Sequence, residues 1–143
     1  MLLGEFRHTL DDKNRLAVPS KFKAVLKGGA VITKGLDECL FLYPMKTWQT
    51  LATKIAQLPI SQSKSRAFAR MMLAGAMEVT LDGQGRVIVP DYLKEYAHLN
   101  KQVIVAGLYD RLEVWDGETW ARYKQQTEKE SGPIAETLAA MGV

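Results

Sequence analysis

Ten residues of this chain occur twice. Leu10-Asp11-Asp12-Lys13-Asn14-Arg15-Leu16-Ala17-Val18-Pro19 returns as Leu81-Asp82-Gly83-Gln84-Gly85-Arg86-Val87-Ile88-Val89-Pro90, at an offset of 71 residues with five identical positions. A duplication constrains the fold more than any single residue, because two similar units face the same burial problem. The likeness continues at an offset of 72. Residues 31–36 match 103–108, Leu40 and Leu42 match Leu112 and Val114, Tyr43 matches Trp115, and Trp48 matches Trp120. Each copy spans about 43 residues, too few to bury an adequate core alone. The two copies are therefore expected to build one joint core. The organisation reads as a repeat over 5–47, a helical linker over 48–75, a second repeat over 76–119 and a helical tail over 120–143.

Local patterns predict the elements of each copy. A short strand over 5–9 precedes a turn at 12–14, whose counterpart is 83–85. Asn14 and Gly85 occupy the same place, and both residue types tolerate a left-handed backbone. Short β runs at 15–18 and 86–89 end at prolines. Ser20 and Asp91 follow those prolines and are candidate caps for helices over 21–26 and 92–97. Strands over 30–33 and 102–106 lead through Gly35 and Gly107 to last strands over 39–43 and 111–115. Alternation puts Leu40, Leu42, Leu112 and Val114 on the core face. The opposite face is Cys39, Phe41 and Tyr43 in one copy, but Arg111, Glu113 and Trp115 in the other. The apolar version needs a cover, either the linker helices or a neighbouring subunit. Helical spacing predicts linker helices ending at Pro59 and running over 63–74, then a helix to about 129 broken at Ser131-Gly132-Pro133.

Composition excludes several classes. Hydrophobic residues at 47% and charged residues at 24% suit a folded globular domain. No apolar run approaches the roughly 18 residues of a membrane span, and Met1-Leu2-Leu3-Gly4 followed by Glu5 does not resemble a secretory signal. Cys39 is the sole cysteine, which suits a reducing cytosol. His8 and His98 stand alone, without the spacing of a metal site. No cofactor motif and no patterned nucleophile, base or metal cluster argues for an enzyme; Cys39 reads as an inert thiol in an apolar strand.

Charge separates the copies. The net charge is +3 over 5–47, +4 over 48–75 and −4 over 76–119. Such a split suggests a half that faces a polyanion, although scattered surface charge would also produce it. An arginine beside a tight turn can reach a guanine edge with two parallel hydrogen bonds, or a phosphate. Arg15 and Arg86 are thus candidate DNA contacts. Asp11 and Asp82, four residues earlier, could orient the guanidinium or hold the turn. The competing reading is that each Asp–Arg pair is an internal brace only. Lys13, Asn14 and Arg7 extend the first candidate surface and Gln84 the second, with Gly85 a structural turn residue. Because basic neighbours cluster around Arg15 and not around Arg86, the first copy is expected to supply most of the DNA contact, and Arg86 to be mainly structural. Arg66 and Arg70, four apart in the linker, could meet acidic groups of a neighbouring second repeat. A basic half against an acidic half favours head-to-tail contact, which closes into rings. Phe41 and Tyr43 are the apolar candidates for that subunit interface.

Two Asp-x-x-x-Arg units, each followed by Val-Pro and a bent strand pair, resemble the AbrB-type DNA-binding module. The tandem arrangement, with Gly35-Leu36-Asp37-Glu38-Cys39-Leu40-Phe41-Leu42-Tyr43-Pro44 in the first copy, is similar to the MraZ family of bacteria over essentially the whole chain. The resemblance implies an α+β fold dominated by a swapped-hairpin β-barrel with pseudo-two-fold symmetry, flanked by helices. It also implies a cytoplasmic, nucleoid-associated transcription regulator. Such a protein would bind repeated promoter elements in double-stranded DNA, upstream of a division and cell-wall gene cluster, as a ring-shaped homo-oligomer. Asn14 departs from the glycine usual at that turn. The alternatives are an AbrB-type antitoxin, for which residues 128–143 make a short and weakly patterned toxin-binding tail, and a purely structural ring.

Overall fold

The computed structural model describes residues 1–143. In the first copy, β1 (Leu2–Thr9) and β2 (Arg15–Ala17) flank the first turn. A 3-10 turn at Ser20–Phe22 runs into α1 (Lys23–Leu26), followed by β3 (Ala30–Lys34) and β4 (Leu40–Pro44). The linker holds α2 (Met45–Ala56) and α3 (Ser63–Ala69), the latter continued by a π turn at Arg70–Ala74. The second copy repeats the order: β5 (Met77–Val79), β6 (Arg86–Ile88), α4 (Asp91–Tyr96), β7 (Gln102–Tyr109) and β8 (Leu112–Asp116). Helices α5 (Gly117–Lys129) and α6 (Ser131–Ala139) end the chain.

Six strands form one antiparallel sheet in the order β1-β7-β8-β4-β3-β5, and β2 and β6 form a separate ribbon. The first strand of each copy pairs with the third strand of the other: β1 with β7, and β5 with β3. The last strands, β4 and β8, meet in the middle. The copies are thus interlocked. The expected closed barrel is not formed. The large sheet stays open, with β1 and β5 at its edges, and the ribbon lies over one face.

Between sheet and ribbon lies the joint core. It draws Leu16, Val18, Phe22 and Leu26 from the first copy and Val87, Val89, Leu93 and Ala97 from the second, all buried. Burial of such side chains contributes roughly 1.5–3 kcal/mol each, which neither copy could gather alone.

Strand register corrects the sequence alignment of β3 with β7. Leu42 lies opposite Ile32, whereas its counterpart Val114 lies opposite Val105. Ile32 therefore corresponds to Val105, an offset of 73 rather than 72. A one-residue slip inverts the face of every side chain in a strand. Accordingly Ala30 and Val103 face the joint core, while Ile104 packs on the other face. The extra residue sits in the β3–β4 turn. Gly35 N donates to Cys39 O there, against Leu108 N to Arg111 O in the second copy.

The outer face of β4 and β8 carries a second core of Cys39, Phe41, Tyr43, Ile104, Ala106 and Trp115 beneath Ile55, Met72, Leu51 and Trp120. The cover is therefore the chain's own helices. Phe41 and Tyr43 are only 7% and 5% exposed, so these two candidates for a subunit interface lie inside the protomer. The charged version of this face is neutralised in place. Arg111 donates to Glu113 Oε2 and stacks over the Phe41 ring, 4.8 Å from its centre, and Trp115 Nε1 donates to Glu113 Oε1 at 3.1 Å. Thr33 Oγ1 donates to Met72 O at 2.7 Å, taking a carbonyl in the π turn. At the other end, the helix ends at Lys129 as expected, but the break falls at Glu130; Ser131 already opens α6, and Pro133 falls in its first turn, where a missing N–H costs no hydrogen bond.

Candidate nucleic-acid interface

The ribbon pairs Arg15 with Ile88, Leu16 with Val87 and Ala17 with Arg86. Leu16 and Val87 point into the core, so Arg15, Ala17, Arg86 and Ile88 share the outer face. Two arginines distant by 71 positions in sequence become diagonal neighbours there, about 7–8 Å apart at Cα by strand geometry.

Each arginine is held by the aspartate four residues before it. Asp11 Oδ1 accepts from Lys13 N at 2.9 Å and Arg15 N at 2.8 Å, while Oδ2 accepts from Arg15 Nε at 2.6 Å. Asp82 does the same with Gln84 N, Arg86 N and Arg86 Nε, at 2.8, 2.9 and 2.9 Å. The brace uses only Nε; neither guanidinium has an internal partner at its terminal nitrogens. The bracing and reaching readings are thus compatible in one geometry. Hydrogen bonds from the arginine's own backbone amide come first in holding both aspartates below the ordinary carboxylate range, and the guanidinium adds to them.

The turns are fastened between the two copies. Asn14, at φ +59°, donates from Nδ2 to Asp91 Oδ1 at 2.6 Å and accepts from Lys94 Nζ at 3.3 Å. Asp91 therefore binds the opposite turn instead of capping its own helix, and Ser20 makes no cap bond either. Gly85, at φ +75°, lies against the Lys23 side chain, which a Cβ there would strike. Lys23 and Lys94 hold matching positions in the two copies, and each reaches the other copy's turn. The charge contrast read along the sequence is accordingly redistributed: the second turn receives a lysine from the basic copy.

Lys13 and Gln84 are exposed at the tips of these turns, and Arg7 is exposed elsewhere. Phe6 packs on the joint core, so strand alternation turns Arg7 to the opposite face. There it lines a groove of about 590 Å³ with Lys101, Trp120 and Lys124 of the α5 side. The structure groups Lys13, Asn14, Arg15, Gln84, Gly85 and Arg86, and leaves Arg7 apart. Lys23, Lys94 and Ile88 are the members that sequence reading missed. The two lysines had a signal, since they match at the same offset as the arginines. Ile88 had none, because only the register shows which face it takes. Arg70 is exposed on the linker, whereas Arg66 donates to Ile60 O at 3.1 Å. No three His, Cys, Asp or Glu side chains converge as a metal site would require, and no helix is long and apolar enough to cross a membrane.

Fold and site define a class: a duplicated α+β protein whose interlocked copies display paired, aspartate-braced arginines on one β ribbon. The family described as "MraZ protein, putative antitoxin-like" matches residues 1–71 and again 72–140. A protein of Natranaerobius thermophilus named transcriptional regulator MraZ is 48% identical over 138 residues, 96% of each chain. Proteins of the same name from Clostridium acetobutylicum and Moorella thermoacetica are 43% identical over 100% of both chains and 44% identical over 96% of both. The chain belongs to the MraZ family.

Proposed function

We propose that this protein is a transcription regulator that binds specific double-stranded DNA through the outer face of the β2–β6 ribbon. The observation that carries the reading is the shared face of Arg15 and Arg86, each oriented through Nε with its terminal nitrogens unpartnered. A two-stranded β-ribbon fits the major groove, and a free guanidinium edge can pair with guanine O6 and N7. Lys13, Lys23 and Lys94 lie on or beside the turns and supply the phosphate-neutralising charge that fixes orientation. Asn14 and Gln84 complete the turn tips. The names of the relatives support regulation of transcription. The target is read as repeated elements upstream of its own gene, in the division and cell-wall cluster.

One such ribbon gives limited affinity, and several presented together gain through effective concentration. The split between a basic first half with linker and an acidic second repeat supports a head-to-tail ring, with exposed Arg70 as a contact and Arg66 beside it. Static light scattering at low and high salt tests this: assemblies are expected at low salt, and a monomer throughout would refute the ring.

Footprinting on the DNA upstream of the gene, with Arg15→Ala and Arg86→Ala beside the parent, tests the main reading. Each variant is expected to stay folded and to lose roughly 10–100-fold in specific affinity, the scale of one bidentate arginine–guanine pair. Retention of full specific binding by both would refute it. Absence of any footprint for the parent would favour the antitoxin or structural-ring alternatives.

A further inference from the structure

The ribbon's outer face holds one side chain that charge recognition leaves unexplained. Ile88 is 62% exposed, although it lies in a strand whose neighbours Val87 and Val89 are 1% and 0% exposed. Its direct partner across the ladder is Arg15, so the two Cβ atoms are about 4.5–5.5 Å apart. The matching position in the first copy is Ala17, which lies opposite Arg86. The same face therefore presents an arginine beside a large branched apolar group at one end and an arginine beside a methyl at the other.

An exposed apolar side chain between cations is poorly suited to phosphate contact. It suits the one apolar feature of the major-groove floor, the C5 methyl of thymine. Resting on the DNA reading above, we propose that Ile88 is a specificity-determining residue that packs on a thymine methyl adjacent to the base pair contacted by Arg15. Adjacent base pairs are about 3.4 Å apart along the axis, which neighbouring side chains on one ribbon face can span. Ala17 offers only a single methyl beside Arg86 and reaches less far from the strand. The protein thereby reads its two half-contacts unequally, despite its duplicated fold. The asymmetry between the copies lies in this apolar pair rather than in their arginines.

The test uses the full-length protein and the DNA segment defined by footprinting. Each thymine in that segment is replaced in turn by deoxyuracil, which keeps every hydrogen-bonding group and lacks only the methyl. The parent protein is expected to lose about fourfold in affinity at one thymine per bound element, the scale of burying one carbon. Ile88→Ala, which copies the first repeat, is expected to lose the same factor on the thymine duplex and to be indifferent to that uracil. Ile88→Val, which keeps a branched methyl surface, is expected to retain part of the sensitivity. Ala17→Ile is expected to create a second uracil-sensitive position. Sensitivity to uracil that persists in Ile88→Ala, or parent binding indifferent to every uracil, would overturn the inference while leaving the DNA reading intact. A parent protein that binds its upstream DNA no better than random DNA would overturn both.

Discussion

Asp11 and Asp82 divide their oxygens in the same way. One oxygen closes the turn onto two backbone amides, and the other takes the Nε of the arginine four residues on. The two jobs respond differently to substitution. Asp11→Asn keeps an acceptor for the backbone amides but loses the charge that holds Nε. It is expected to lower the melting temperature less than Asp11→Ala does, and to weaken specific DNA binding, as titration of a labelled duplex would show. Asp11→Ala loses both, and is expected to lower the melting temperature further. The pH dependence follows from the direction of the shifts. Both carboxyls lie below their ordinary range in the folded chain, chiefly through the backbone amides of Arg15 and Arg86. Their contribution is therefore fully present above the unfolded aspartate range, and is lost as pH falls through the lower folded values. Amide resonances of Arg15 and Arg86 are expected to titrate together, with midpoints below that of an unfolded aspartate. Asn14 offers a backbone test beside them. It sits in the left-handed region and is bound by Asp91 and Lys94. Asn14→Ala is expected to cost about 1–2 kcal/mol, and Asn14→Gly less, in urea unfolding.

At the scale of elements, the ribbon is two three-residue strands that would not persist alone in water. It is held by its inner pair, Leu16 and Val87, each 1% exposed, and by end bonds from Val18 N to Gly85 O and from Val89 N to Asn14 O. The spacing of the arginines thus depends on packing that no DNA touches. Leu16→Ala is expected to destabilise the fold by about 2–5 kcal/mol, measured by chemical denaturation. It should also weaken DNA binding under conditions where the variant is still folded. Much of this level was legible in the sequence. The paired turns, the prolines ending the short strands and the two linker helices fall where spacing and turn chemistry put them. The face of β7 was not legible. Val31-Ile32 and Val103-Ile104 look like counterparts, yet a longer turn after β3 shifts the true equivalence by one. Runs of apolar residues carry no marker of face when both sides of a sheet are covered, as β3 and β7 are by the joint core on one side and helices on the other.

For the whole molecule, the interlocking of strands has a testable consequence. Each copy's first strand completes the other's sheet, and the ribbon takes one strand from each. Separate fragments covering residues 1–71 and 72–140 are expected to be largely unfolded alone, and to recover the parent's circular dichroism when mixed. Two fragments that fold independently would show that the swap is dispensable. The duplication, the position of both Asp–Arg turns and the absence of any patterned catalytic group are determined by the sequence itself, because turn chemistry and repeat spacing are local. The tertiary structure decided what those turns do together. Only the swap brings Arg15 and Arg86 onto one face, passes Lys23 and Lys94 to each other's turns, and exposes Ile88 beside Arg15. It also puts Phe41 and Tyr43 under the chain's own helices and leaves the sheet open rather than closed. These outcomes depend on strand register and on which surface covers which, and both are set by long-range packing between segments some 70 residues apart.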